Sequence, residues 1–373
     1  MGVVKLCDVA RESRLKWTKS KQDVPIVGLE HLIPNEIRFD AYDINTDNTF
    51  SKRFVKGQVL FGRRRAYQRK AAVAEFDGIC SGDITVIEAI EGKIVPELLP
   101  FIIQTPVFFD YANRGSAGSL SPRVKWEHLA DFEFELPPLE EQKVLADKLW
   151  AAYRLKEAYK KLLVATDEMV KSQFIEMFEN VESYCKLEDL VSDTFPGEWG
   201  SEPISENAIK VIRTTNFTNE GYLDLTDVVT RDIEPKKVVR KKLKQGDTIL
   251  ERSGGTKDNP VGRVVFFDEI GDYLPNNFTQ VLRPKESVNP VYLFYALYNS
   301  YNLNKAAMRA MASQTTGIQN LSMSDFMAKF IVLPSRNEQN KFEQIYRQAD
   351  KSKFELKQCI EHIDKVIKSL ING

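Results

Sequence analysis

The chain lacks most of the features that mark a secreted protein, a metalloprotein or a nucleotide-driven enzyme. Its four cysteines (Cys7, Cys80, Cys185, Cys359) are scattered, with no CxxC pair, and His31, His128 and His362 are equally dispersed. No zinc-ligand spacing results, so no metal is expected and the thiols read as reduced ones in a cytoplasmic protein. No apolar run is long enough to span a bilayer, and the chain opens on no signal-peptide pattern. Net charge is also lacking: at −1, the chain is not a globally basic nucleic-acid binder, and any such surface must be a local patch.

What is present is a long stretch written twice. Leu136 to Ser172 and Leu333 to Ser369 align without a gap. Leu136-Pro137 meets Leu333-Pro334, Glu141-Gln142 meets Glu338-Gln339, Lys156 meets Lys353, Lys160 meets Lys357 and Asp167 meets Asp364. Such a match marks a duplicated unit. The second copy spaces Phe342, Ile345, Ala349, Ser352, Leu356, Cys359, Ile363, Val366 and Leu370 as a heptad seam. The first carries a broader stripe of Leu145, Leu149, Ala152, Leu155, Tyr159, Leu162, Leu163, Met169, Val170 and Phe174. Pro137 and Pro138 precede glutamates at one start, and Ser335 with Glu338 spaces a capping box at the other. Each helix should be about 50 Å long at 1.5 Å per residue. Pairing within the chain, antiparallel, is expected; a generic coiled-coil dimer is the alternative.

The expected fold class is therefore α+β, with two mixed, mostly β heads separated by two long antiparallel helices in an internal repeat. The expected order is a head at 1–135, a helix at 136–178, a head at 179–334 and a helix at 335–373. In the first head, Pro25–Gly28, Lys56–Phe61 and Asp83–Ile87 read as strands, Pro96–Tyr111 as helices and Arg114–Ser119 as a loop. The second head echoes that layout, with Gly57 and Gly246 before strands, Arg63 and Arg252 six positions on, and a helix at Pro290–Leu297. Thr315–Asn320 takes the place of the Arg114 loop. The residues themselves diverge, as expected of heads that select different ligands.

Ser51–Ala72 holds eight lysines and arginines and no acidic residue. Arg63, Arg64, Arg65, Arg69 and Lys70 suit phosphates or guanine edges, Gln68 can pair with adenine and Tyr67 can stack. Arg114, Ser116 and Ser119 follow in the next loop. The bland reading is a solvated basic hairpin. In the second head the candidates lie in polar loops: Arg213, Thr214, Thr215, Asn216; Arg252, Ser253, Thr256, Lys257; Asn276, Asn277; and Gln314, Thr315, Thr316, Gln319. Turns are rich in the same residues, so each loop is weak evidence alone. Lys236–Lys244 reads as a solvated or phosphate-facing surface.

Enzyme signatures fail. Ser253-Gly254-Gly255-Thr256-Lys257 misses the phosphate-loop spacing. Asn289-Pro290-Val291-Tyr292 lacks the second proline of the amino-methyltransferase NPPY, and a helix N-terminus explains it better. No carboxylate cluster pairs with a lysine as a nuclease would need, so no catalytic residue is expected.

The repeated LPPLEEQ-type start, Leu136-Pro137-Pro138-Leu139-Glu140-Glu141-Gln142 and Leu333-Pro334 to Glu338-Gln339, resembles the specificity subunit of Type I restriction–modification enzymes. Lys171-Ser172-Gln173-Phe174, Gly246-Asp247-Thr248-Ile249-Leu250 and Val211–Phe217 are similar too, and the likeness covers the whole chain. It implies two target-recognition domains, each reading half of a bipartite asymmetric double-stranded DNA site, with the helices as a ruler. It also implies two docked methyltransferase (modification) subunits and recruited restriction subunits, which would carry S-adenosylmethionine, ATP and Mg; none is expected on this chain. The rivals are a stand-alone DNA adenine methyltransferase, which must bind S-adenosylmethionine itself, and a coiled-coil scaffold without DNA binding, whose activity would survive loss of the heads.

Overall fold

The computed structural model describes residues 2–204, 208–315 and 317–372, apart from the side chains of Gln314, Thr315 and Asn372. The chain divides into two compact units, Met1–Lys161 with Lys357–Gly373, and Leu162–Leu356. The division cuts both long helices, Leu139–Phe178 and Arg336–Asn372, so each unit holds one part of each.

The first unit is built on a four-stranded antiparallel sheet in the order Ala10–Glu12, Ile84–Ala89, Val59–Gly62, Ala71–Val73. A three-stranded sheet of Ile26–Val27, Gly78–Cys80 and Lys52–Phe54 lies beside it in sequence, its first two strands parallel. The second unit repeats the scheme: Val191–Pro196, Thr279–Pro284, Asp247–Glu251 and Val264–Phe267 form the four-stranded sheet. Its three-stranded sheet again has a parallel pair, Ile209–Ile212 with Tyr273–Pro275. The third strand, however, has changed flank: Val229–Arg231 pairs with the first of the parallel strands, whereas Lys52–Phe54 pairs with the second. Thr315–Asn320, expected as a loop, instead belongs mostly to a hairpin, Ala312–Thr315 with Ile318–Leu321.

The helices are antiparallel within each unit. In the first, Leu145 and Leu149 share a cluster with Leu370 and Ile371, while Lys156 Nζ reaches Asp364 Oδ1 at 2.6 Å. In the second, Phe174 and Phe178 pack on Phe342, and Lys353 Nζ meets Asp167 Oδ1 at 2.7 Å. These two ion pairs are one pair written twice, since Lys156 aligns with Lys353 and Asp364 with Asp167.

The heptad seam differs from the sequence expectation in one row. Phe342, Ala349 and Ile363 are buried as expected, and Leu356 is half-buried. The other row is Tyr346, Lys353, Ile360 and Ile367, one residue later than Ile345, Ser352, Cys359 and Val366. A lysine is not counted when apolar residues are matched to a period, yet Lys353 is only 9% exposed. Its alkyl stem lies in the seam and its ammonium on Asp167. For the same reason Leu155, Leu162 and Met169 are exposed, and Lys156 turns inward.

Each helix start is held by one buried glutamine. Gln142 Nε2 donates to Pro137 O (2.8 Å) and its Oε1 accepts from Val95 N (2.9 Å). Gln339 does the same with Pro334 O (2.9 Å) and Asn289 N (2.8 Å). Val95 and Asn289 precede corresponding helical segments of the two heads, so this glutamine ties head to helix. Ser335 and Glu338 form the expected capping box.

Two outcomes follow. Gln142→Ala and Gln339→Ala each leave a buried N–H and a carbonyl unpaired and should each cost about 1–3 kcal/mol in urea unfolding. Cys7 and Cys359 are exposed and should react with a thiol reagent in the native state at pH 8. Cys80 is buried, its thiol pushed up to about 12 by burial, and should react only on unfolding.

Candidate nucleic-acid interface

In the first unit the strand Val59–Gly62 ends in the basic segment. Arg63 N donates to Asp83 O and Val124 N to Arg63 O, which lays this segment against residues 117–124. The chain then makes a tight 3-10 turn, Ala66–Gln68, bracketed by two left-handed arginines, Arg65 (φ 54°) and Arg69 (φ 53°). Left-handed backbone at a non-glycine residue is uncommon, and the turn holds Tyr67 outward, 58% exposed.

The arginines in this segment are not equivalent. Arg64 donates to Ser121 Oγ (2.5 Å) and Asp83 (3.4 Å), and Asp83 also takes Arg123 at 2.7 Å. Burial would raise the Asp83 carboxyl, but Arg123 and Arg64 outweigh it and hold it below its ordinary range. Arg69 approaches Asp110 at 3.8 Å, and Lys70 Nζ donates to Leu29 O at 2.7 Å. By contrast the buried Nε of Arg63 and that of Arg65 find no acceptor among the described residues. Gln68 is half-buried, its N–H closing the turn on Arg65 O. In the neighbouring loop Ser116 Oγ is spent on Ala112 O, while Arg114 and Ser119 are exposed. The composition of Ser51–Ala72 could not separate tied cations from untied ones, because Asp83, Asp110 and Ser121 come from elsewhere in the chain. Arg123 and Ser121 were missed for the same reason.

In the second unit the four polar loops are brought together by backbone bonds. Asn276 N donates to Ile212 O, beside the Arg213 turn, and Arg252 N and Ser253 N both donate to Phe278 O. Ser253–Gly254 then pairs with the hairpin strand Ile318–Leu321, and Ser253 Oγ reaches Asn320 Oδ1 at 2.8 Å. Several of these residues are structural. Asn216 is buried: its Oδ1 accepts from Arg213 N and its Nδ2 donates to Asp224 O and Asp227 O. Arg213 is paired with Asp227 at 2.8 Å. Ser253 and Asn276 are buried, and Gln319 Oε1 accepts from Val261 N. Thr214 is half-buried, its carbonyl accepting from Arg263. Arg252, half-buried, donates to Gln280 at 3.5 Å. Thr215, Thr256, Lys257 and Asn277 are exposed and form the accessible polar part. Gln314 and Thr315 lie on the hairpin strand, though their side chains fall outside the described residues, as does all of Thr316. The Lys236 segment is a helix, Pro235–Lys241, with Lys237 and Lys241 held by Glu198.

The Arg213–Asn216 turn has a counterpart in the first unit that sequence reading did not single out. His31 Nδ1 accepts from Gly28 N (2.9 Å) across the 3-10 turn Leu29–His31, as Asn216 Oδ1 does from Arg213 N across Thr214–Asn216. Unlike side chains make the same lock. Glu30, His31 and Asp43 lie close enough to suggest a metal set. With Nδ1 accepting, the neutral ring carries its proton on Nε2, 3.6 Å from Asp43, so no lone pair faces the acids and the donor set does not fit an ion. Asn289 is likewise spent: its Oδ1 caps Tyr292 N and its Nδ2 donates to Asn340 and Glu343, which closes the NPPY reading at this position.

Asn216→Ala should destabilise the chain by about 1–3 kcal/mol in urea unfolding. Thr215→Ala, one residue away and exposed, should stay within about 0.5 kcal/mol.

Comparison with known proteins agrees with this layout. The family model for the Type I restriction modification DNA specificity domain matches residues 3–163 and again 194–365. The Type I restriction enzyme EcoDI specificity subunit of Escherichia coli is 31% identical over 132 residues, which is 33% of this chain and only 29% of that relative. Among solved structures, the S subunit of a Type I restriction-modification system from M. genitalium superposes with TM-score 0.62 at 11% identity, over 99% of this chain and 94% of that one. A chain of a type I R-M system, solved for its complex assembly and conformational transition, gives TM-score 0.57 at 16% identity, over 100% and 96%. At those identities the structures show a shared fold; the twofold match of the family model shows more, and the chain belongs to the Type I restriction–modification DNA specificity family.

Proposed function

We propose that this chain is the non-catalytic DNA-recognition subunit of a Type I restriction–modification complex. Each head reads one half of a bipartite asymmetric site in double-stranded DNA. The long helices set the spacing between the halves and dock two methyltransferase subunits, and restriction subunits join that assembly. S-adenosylmethionine, ATP and Mg belong to the partner subunits, and the complex works in the cytoplasm.

The observation that carries this reading is the contrast between conserved layout and changed surface in the two heads. The same two-sheet scheme presents a basic turn with two arginines that have no side-chain partner among the described residues in one unit, and exposed threonines, an asparagine and a lysine in the other. Neither Arg63 nor Arg65 makes a side-chain hydrogen bond or ion pair among the described residues, so each half-buried guanidinium keeps its donors for a phosphate oxygen or a guanine edge. With little net charge overall, much of the phosphate affinity falls to the partner subunits.

Exchanging residues 1–135 for the head of another family member should change one half of the methylated site and spare the other, as read by single-molecule methylation mapping in a host carrying the partner subunits. Both halves changing together would refute the division of labour. Arg63→Ala and Arg65→Ala should each weaken binding by about 1–3 kcal/mol and relax preference in one half only. Arg64→Ala should instead lower stability, since Arg64 is held by Asp83 and Ser121.

A further inference from the structure

The basic turn is joined to the long helix by a very short path. Arg69 O, at the end of the turn, accepts from Asn35 N at 3.0 Å. The next residue, Glu36, is held by the helix Leu139–Phe178: Lys160 Nζ donates to its Oε1 at 2.5 Å and Tyr153 Oη to its Oε2 at 3.3 Å. Gln104 fixes the same point from another side, its Nε2 donating to Glu36 O at 2.8 Å and also to Ala71 O. Two residues further on, the Arg38 guanidinium lies 4.8 Å from the ring centroid of Trp150 on the same helix.

Both donors are in the protonation state this needs. Burial, followed by the charges of Glu157 and Glu36, raises the Tyr153 hydroxyl. Burial would lower Lys160, but its bonds to Glu36 and Glu157 more than offset that.

The second unit also ties the loop after its locked 3-10 turn to a long helix, from other residues. Asn216, in the polar turn, exchanges two hydrogen bonds with Asp224, from its backbone O and its side-chain Nδ2. Tyr222, two residues away, has its ring 4.9 Å from the ammonium of Lys353 on the other long helix. In each unit the loop that follows the locked 3-10 turn thus returns to the helix.

We propose that Glu36 is a positioning residue: gripped by Lys160 and Tyr153, it fixes the angle at which the basic turn stands on its helix, and so sets how strictly the first half-site is spaced from the second. This rests on the DNA-recognition reading. Glu36 contacts no base; it decides where the reading turn is held. A reader left loose on a rigid support still distinguishes bases but accepts a wider range of positions.

The test uses the full chain assembled with its methyltransferase subunits, as wild type, as Glu36→Gln, and as the charge-exchanged double variant Glu36→Lys with Lys160→Glu. Each selects from duplex DNA randomised in sequence and in the distance between half-sites. Wild type should enrich one bipartite sequence at one spacing. Glu36→Gln should enrich the same bases in both halves, while discrimination against a spacing one base pair longer or shorter falls about tenfold, the size of one lost charged hydrogen bond. The exchanged pair should restore much of that discrimination. Glu36→Gln that keeps wild-type spacing overturns the proposal. So does loss of the first half-site's bases together with a lowered melting temperature, since Glu36 would then only hold the head together. If wild type enriches no bipartite sequence, the recognition reading fails, and the proposal with it.

Discussion

The helical frame depends on where a lysine can put its charge. Lys353 in one unit and Lys156 in the other lay their stems in an otherwise apolar seam, their side chains 11% and 16% exposed, and set their ammonium groups on the half-exposed Asp167 and Asp364 at its edge. An ammonium so placed must be paired. A purely apolar heptad seam tolerates sliding by seven residues; this one does not. Moving Asp167 along by seven would set Lys160 or Phe174 opposite Lys353, a repulsion or an unanswered charge. The same shift at Asp364 offers Lys156 only Lys357 or Ile371. Antiparallel register in each unit is thereby narrowed to the one that satisfies the pair.

On that frame the two heads share connections and differ in surface. What stays constant is chiefly what joins head to helix: the glutamines Gln142 and Gln339, the two-stranded pairings Gly2–Lys5 with Glu133–Leu136 and Tyr184–Lys186 with Phe330–Val332, and the locked 3-10 turn. What varies is the set of loops beyond them, along with the flank taken by the third strand of the small sheet. A scaffold that fixes its attachment points and frees its loops can change what it contacts without refolding.

Much of this was legible in the sequence because duplication is visible without structure. The repeat located both helices, their starts and the similarity of the heads. The seam was half legible: period counting found Phe342, Ala349 and Ile363 but skipped Lys353, since a charged residue enters such a count only when its partner, Asp167, is known. The candidate interface was legible as loops and not as residues. Arg63 and Arg64 are neighbours of one type, yet Asp83 and Ser121 engage one and leave the other, and only the fold brings those residues near. Asn216 reads in the sequence as a polar loop residue; in the fold it is buried and bonded to Arg213, Asp224 and Asp227, and nothing local shows that. Its counterpart His31 shares the position without sharing the side-chain type, so sequence comparison between the heads passed over it.

The division of the chain into units has a consequence for the order of synthesis. Leu162–Leu356 is one continuous piece, whereas the other unit needs Lys357–Gly373, which follows that piece in the chain. Met1–Lys161, though translated before Leu162–Leu356, waits for its closing helical strip while that piece already has all its residues. Vectorial translation therefore finishes the inner module ahead of the outer one, and until then the apolar face around Leu145 and Leu149 stands without Leu370 and Ile371 to cover it.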